Sequence, residues 1–98
     1  MLSRDEILSA LTKEKDYLSE NYCVSSIALF GSYSRNEQTE DSDIDILIEL
    51  HKSTYRNFSG VKNFLESLFQ KKIDLVCSNG LNEAIKPYIM KDAKWLVS

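Results

Sequence analysis

The sequence predicts an α+β fold in which a small mixed sheet of three or four strands carries helices mainly on one face. Three observations predict it. Apolar residues recur at helical spacing in two segments, near 4–21 and 59–70. Three short runs rich in β-branched and apolar residues, Val24–Phe30, Asp43–Leu50 and Ile73–Cys77, read as strands. The order is helix, strand, strand, helix, strand, helix, and the short connection between the first two strands favours pairing them directly.

The first helix has a clear start. Ser3 and Glu6 fit a capping box, in which hydroxyl and carboxylate close the first turn reciprocally. Ile7, Leu8, Leu11, Leu18 and Tyr22 then share one face. The first strand ends at Gly31, and Ser32–Glu37 predicts a short helix or turn. Thr39–Ser42 is a polar, acidic loop, and His51–Ser59 is a polar connection. Val61, Phe64, Leu65, Leu68 and Phe69 keep the i, i+3, i+4, i+7, i+8 pattern of the second helix. Lys71-Lys72 places positive charge at the negative end of that helix's dipole. Beyond the third strand, Ser78-Asn79-Gly80 predicts a turn. Pro87 excludes an unbroken helix over 81–93, so a short turn and a helix from about 87 are expected. Trp95-Leu96-Val97 fits either the end of that helix or an edge strand.

Length and composition exclude several classes. The 98 residues predict a single domain over 1–98, with 43% hydrophobic and 28% charged residues, as in ordinary globular chains. A net charge of −3 argues against a nucleic-acid-binding face. No apolar run approaches membrane-spanning length. The two cysteines, Cys23 and Cys77, are far apart, and neither has a cysteine or histidine at metal-ligand spacing. With no signal peptide, they predict reduced thiols and a cytoplasmic location.

The chemistry is concentrated in residues 31–45. Gly31-Ser32 follows the apolar run Ile27-Ala28-Leu29-Phe30, and ten residues later Asp43-Ile44-Asp45 opens the next strand. Side chains alternate along a strand, so Asp43 and Asp45 share a face while Ile44, Ile46 and Ile48 point to the core. Paired carboxylates repel and are stable as anions when a cation is shared between them. Oxygen ligands suit a hard divalent ion, Mg²⁺ above all. Gly31 permits a close backbone approach, and Ser32 adds a hydroxyl to a turn whose amides can meet an anion. Asp74 lies between apolar neighbours in Lys72-Ile73-Asp74-Leu75-Val76. A carboxylate there is costly unless paired or metal-bound, and it joins the other two if its strand neighbours 43–50. Each feature has a plainer reading on its own: an acidic strand start, a Ser-capped turn, and for Asp74 a salt bridge to a lysine or Arg35 or an exposed edge position. The lone His51 and the charged 35–43 segment read more simply as solvated surface.

Together, Gly31-Ser32, the ten-residue interval, Asp43-Ile44-Asp45 and Asp74 on a later strand resemble the minimal nucleotidyltransferase family of the DNA polymerase β-like superfamily. The resemblance covers nearly the whole chain. Tyr33-Ser34-Arg35 is similar to the family's Gly-Ser-x-x-Arg continuation, and Asn36 departs from it where many members have Gly. The resemblance implies the nucleotidyltransferase fold and a Mg²⁺-dependent transfer of a nucleoside monophosphate with release of pyrophosphate. Asp43, Asp45 and Asp74 would hold two Mg²⁺ ions and act in catalysis, Asp74 also helping to deprotonate the acceptor hydroxyl. Gly31, Ser32 and Arg35 would bind the nucleotide.

The expected acceptor is a protein, because the length leaves no room for an acceptor domain and the acidic charge disfavours RNA. Many relatives of this kind are antitoxins paired with a helical HEPN ribonuclease toxin. The resemblance therefore implies AMP transfer from ATP to a toxin tyrosine within a hetero-oligomer. Two alternatives stay open: a binding module that neutralises its partner by contact alone, anchored by aromatics such as Tyr55, Tyr88 or Trp95, and a small-molecule nucleotidyltransferase.

Overall fold

The computed structural model describes residues 3–77 and 94–95. Helix α1 spans Arg4–Tyr22 and starts as its sequence dictates. Ser3 Oγ accepts the Glu6 amide at 3.1 Å, and Glu6 Oε1 accepts the Ser3 amide at 3.2 Å. Ile7, Leu11 and Leu18 are fully buried, with Leu8 and Tyr22 packed at the margin. The helix stops at Cys23, which turns left-handed at φ 61°.

Strand β1, Val24–Phe30, leads into a single helical turn, α2, at Gly31–Ser34. Strand β2, Ile44–Leu50, pairs antiparallel with β1. Helix α3 spans Tyr55–Phe69, and β3, Ile73–Cys77, pairs parallel with β2. A short β4, Lys94–Trp95, pairs antiparallel with β1, so residues 94–95 form an edge strand. The sheet order is β3-β2-β1-β4, a mixed sheet of four strands.

Helix α3 begins four residues earlier than its apolar pattern indicates. Thr54 accepts the Asn57 amide at 3.1 Å, and Asn57 Nδ2 donates to the Lys52 carbonyl at 2.9 Å, which nucleates a polar first turn. Gly60 inside this helix has a packing reason, because a Cβ there would overlap the Tyr22 ring of α1. The expected turn at 78–80 and the helix from about 87 lie outside the described residues.

The main core lies between the sheet and the α1/α3 layer. It combines Ile7, Leu11 and Leu18 with Ile27, Leu29, Ile44, Ile46, Ile48, Val61 and Leu65, and includes Tyr33 from α2. On the opposite face, Ala28 and Leu47 are also fully buried.

Gln70 terminates α3 at φ 52°, ψ 42°, a left-handed position that a residue without Cβ occupies at lower cost. Its exposed side chain only reaches back to the Ser67 carbonyl. We expect Gln70→Gly to stabilise the fold by about 1 kcal/mol, a rise of several degrees in Tm, and calorimetry checks it; a fall would show that the local side-chain bond outweighs backbone strain.

Candidate active site

The ends of three strands bring the sequence-marked residues together. The register pairs Phe30 of β1 with Asp45 of β2, and Asp45 with Asp74 of β3. Gly31 therefore leaves β1 beside the first carboxylates of β2. Ile44, Ile46 and Ile48 occupy the core face, and that alternation sends Asp45 to the other side.

Gly31 and Asp45 touch. Gly31 has φ +72°, and a Cβ built there would lie 2.8 Å from Asp45 Cγ and would overlap its carboxylate oxygen. Glycine at this position thus answers two demands, a left-handed backbone and a missing side chain.

The Asp45 and Asp74 carboxyls lie within hydrogen-bonding reach, and a proton bound by Asp45 is shared with Asp74. Partial burial, that bond and the negative charges of Asp74 and Asp43 push Asp45 up from 3.8 to about 6, while the Arg35 guanidinium pulls it down. Asp43 turns towards Lys72, whose ammonium lies 3.9 Å from its carboxylate, with both side chains substantially exposed. Among the described residues, the three carboxylates do not converge on one point at ligand distance. Asp45 and Asp74 form the close pair, and Asp43 stands beside them. An all-oxygen pair that takes up a proton more readily than a lone carboxylate fits a hard divalent cation, which would replace that proton. Asp43 would become available to it by leaving Lys72, an exposed ion pair worth little by itself.

Arg35 follows α2, is exposed, and lies 3.6 Å from Glu37. Ser32 is partly buried in the turn, with its carbonyl accepting the Glu37 amide at 2.9 Å. His51 lies at the other end of β2, so it has no part here. Lys71 and Lys72 differ from their expected role as charges closing α3. The helix ends at Phe69; Lys71 Nζ donates to the Glu40 carbonyl at 2.8 Å, and Lys72 faces Asp43. Both brace the acidic loop that leads into β2.

The four-stranded mixed sheet that carries this glycine turn and strand-end carboxylate pair, with cationic side chains at the rim, is the nucleotidyltransferase fold. The chain belongs to the nucleotidyltransferase domain family, whose profile matches residues 11–96. A Methanocaldococcus jannaschii chain provisionally named a protein adenylyltransferase is 46% identical over 92 residues, covering 93% of this chain and 91% of its own. Protein adenylyltransferase MntA of Thermococcus cleftensis is 35% identical over 97 residues, covering 98% of both chains. Among solved structures, a toxin–antitoxin with AMP-PNP superposes with TM-score 0.72 at 23% identity, over 99% of this chain and 74% of that one. A tri-AMPylated Shewanella oneidensis HEPN toxin in complex with its MNT antitoxin superposes with TM-score 0.62 at 21% identity, over 97% and 69% of the two chains. These two likenesses establish the fold.

Proposed function

We propose that this chain is a Mg²⁺-dependent protein adenylyltransferase that transfers AMP from ATP to a tyrosine hydroxyl of a HEPN-type partner and so acts as its antitoxin. The observation that carries the reading is the Asp45–Asp74 pair set against Gly31 at the strand ends. The naming of relatives 35–46% identical over almost the whole chain supports the reaction class. The AMPylated toxin bound to a chain of this fold supports the acceptor.

Asp43, Asp45 and Asp74 would hold the metal. When bound, Mg²⁺ supplies charge stabilisation to the attacking and leaving oxygens of an in-line displacement. Gly31 and Ser32 hold the phosphates that leave, because the Gly31 backbone lies against Asp45 without a side chain intervening and Ser32 follows it in the turn. Arg35 adds positive charge at the same edge, where its field already reaches Asp45. Asp74 is the more exposed of the paired carboxylates, so it faces the incoming hydroxyl and assists removal of its proton. The bond formed is from the acceptor oxygen to the α-phosphorus; the bond broken links that phosphorus to pyrophosphate. Reduced thiols at Cys23 and Cys77 are compatible with action in the cytoplasm.

The test is isotopic. With Mg²⁺ and the helical partner, label from the α-phosphate of ATP should appear on the partner and label from the γ-phosphate should not. Transfer of the γ label would replace the reading with a kinase; label on added small alcohols alone would replace the protein acceptor.

A further inference from the structure

We propose that Ser34 is a positioning residue, whose buried hydroxyl fixes the Gly31 backbone against Asp45, with Arg4 holding the far end of the same turn. The inference rests on the nucleotide-holding role given above to Gly31 and Ser32.

Ser34 is 1% exposed and is the one buried polar residue outside the aromatic class among the described residues. A hydroxyl is expensive to bury unless bonded, and Ser34 Oγ donates to the Gly31 carbonyl at 2.8 Å. The Arg35 amide reaches the same carbonyl at a longer 3.3 Å. The Ser32 and Tyr33 carbonyls accept the Glu37 and Asn36 amides at 2.9 and 3.2 Å, whereas the first carbonyl of the turn depends on Ser34 Oγ and the longer Arg35 bond. The turn is four residues long, and Phe30 at its start offers no side-chain cap. A single helical turn with an uncapped start is weak in isolation, so the side-chain bond from its last residue sets the peptide plane of its first. That plane matters because Gly31 sits at φ +72° in contact with the Asp45 carboxylate.

The far end is tied as well. Arg4 Nη1 donates to the Ser34 carbonyl at 3.4 Å, a link across thirty residues. The capping box at Ser3 and Glu6 places Arg4 in the first turn of α1. The start of α1 and the glycine turn are thereby coupled through one serine, using both its hydroxyl and its carbonyl. Tyr33, fully buried beside it, anchors the turn to the core by packing.

Calorimetric affinity for AMP-PNP with Mg²⁺, alongside the kinetics of AMP transfer, tests the assignment in wild type, Ser34→Ala, Ser34→Cys and Val61→Ala. Ser34→Ala removes the hydroxyl with little change in volume. It should raise the Kd for AMP-PNP and the KM for ATP about five- to tenfold, with kcat changed about threefold at most. Ser34→Cys keeps a weak donor and should fall between the two; it also serves if the alanine variant does not fold. Val61→Ala truncates a fully buried side chain of α3 and leaves the Ser34 hydroxyl in place; below its melting temperature it should bind within about twofold of wild type, even where its Tm is the lower. Wild-type affinity in both Ser34 variants would overturn the assignment. So would an equal loss in Val61→Ala, which would make the effect one of general stability. A wild type that binds AMP-PNP normally but transfers no AMP would overturn the proposed acceptor and leave this inference standing on the binding data.

Discussion

Asp45→Asn should lower AMP transfer by about 10³-fold or more and, at the same time, raise the melting temperature of the metal-free protein at pH 8. The first effect follows from losing a metal-holding carboxylate, a transition-state contribution of several kcal/mol. The second follows from the shared proton. In the folded chain Asp45 titrates at about 6, against 3.8 when unperturbed. A raised value means that the folded state binds the proton more tightly. The stability linked to this group is complete below about pH 3.8 and is lost as pH rises through about 6. At pH 8 wild type therefore carries the full repulsion of Asp45 by Asp74 and Asp43. An amide at 45 keeps a hydrogen-bond donor for Asp74 and removes that charge. After allowance for solvent at this partly open edge, the gain is about 1–2 kcal/mol, or several degrees in Tm. Thermal melts across pH 4–8 in chelator check it: the wild-type curve should fall through about pH 6 and the variant's should not. A divalent cation should stabilise wild type at pH 8 and leave the variant nearly unmoved. Parallel pH curves for the two proteins would show that the carboxylates do not share a proton.

Gly31→Ala is expected to be the most damaging single methyl in the described chain. The backbone at φ +72° penalises any L side chain by about 1–2 kcal/mol. The new Cβ would also lie against Asp45, 2.8 Å from its Cγ, so the carboxylate must move. A displacement of about 1 Å at a reacting site costs roughly 10²-fold in rate. We expect a loss of at least 2 kcal/mol in stability, about as for other strained, overpacked substitutions, together with about that fall in transfer. The two causes separate in a double-mutant cycle. In an Asp45→Ala background the overlap with the carboxylate is gone and only backbone strain remains, so Gly31→Ala should cost visibly less stability there. Equal cost in both backgrounds would mean that the turn and Asp45 are not in contact.

Much of this site was legible in the chain because its parts obey local rules. Ser3 and Glu6 announce α1 by a capping box that forms as written. The alternation from Asp43 to Ile48 requires two carboxylates opposite an isoleucine stripe, and Ile44, Ile46 and Ile48 are buried together. Gly31 at the end of an apolar run signals an unusual turn. What was not legible depends on pairing between distant segments. Only the parallel register of β2 and β3 puts Asp74 beside Asp45, and nothing in either strand alone specifies it. The first turn of α3 was hidden because Tyr55, Arg56 and Asn57 carry no apolar period, and its signal is a lone Thr54 cap. Lys71 and Lys72 looked like helix-end charges until the loop at 40–43 was placed against them. Ser34 carried no signal of its own in the sequence beyond its place in Tyr33-Ser34-Arg35, and its burial and its bond to the Gly31 carbonyl distinguish it.

Intact-mass spectrometry shows whether the strand-end carboxylates serve AMP transfer to a partner protein. Wild type and Asp43→Asn would each be incubated with ATP, Mg²⁺ and the purified HEPN-type partner. AMP-sized additions should appear on the partner with wild type, mapping to tyrosine, and none with Asp43→Asn. An unmodified partner held in a stable, neutralised complex by both proteins would contradict AMP transfer and make contact alone the mechanism.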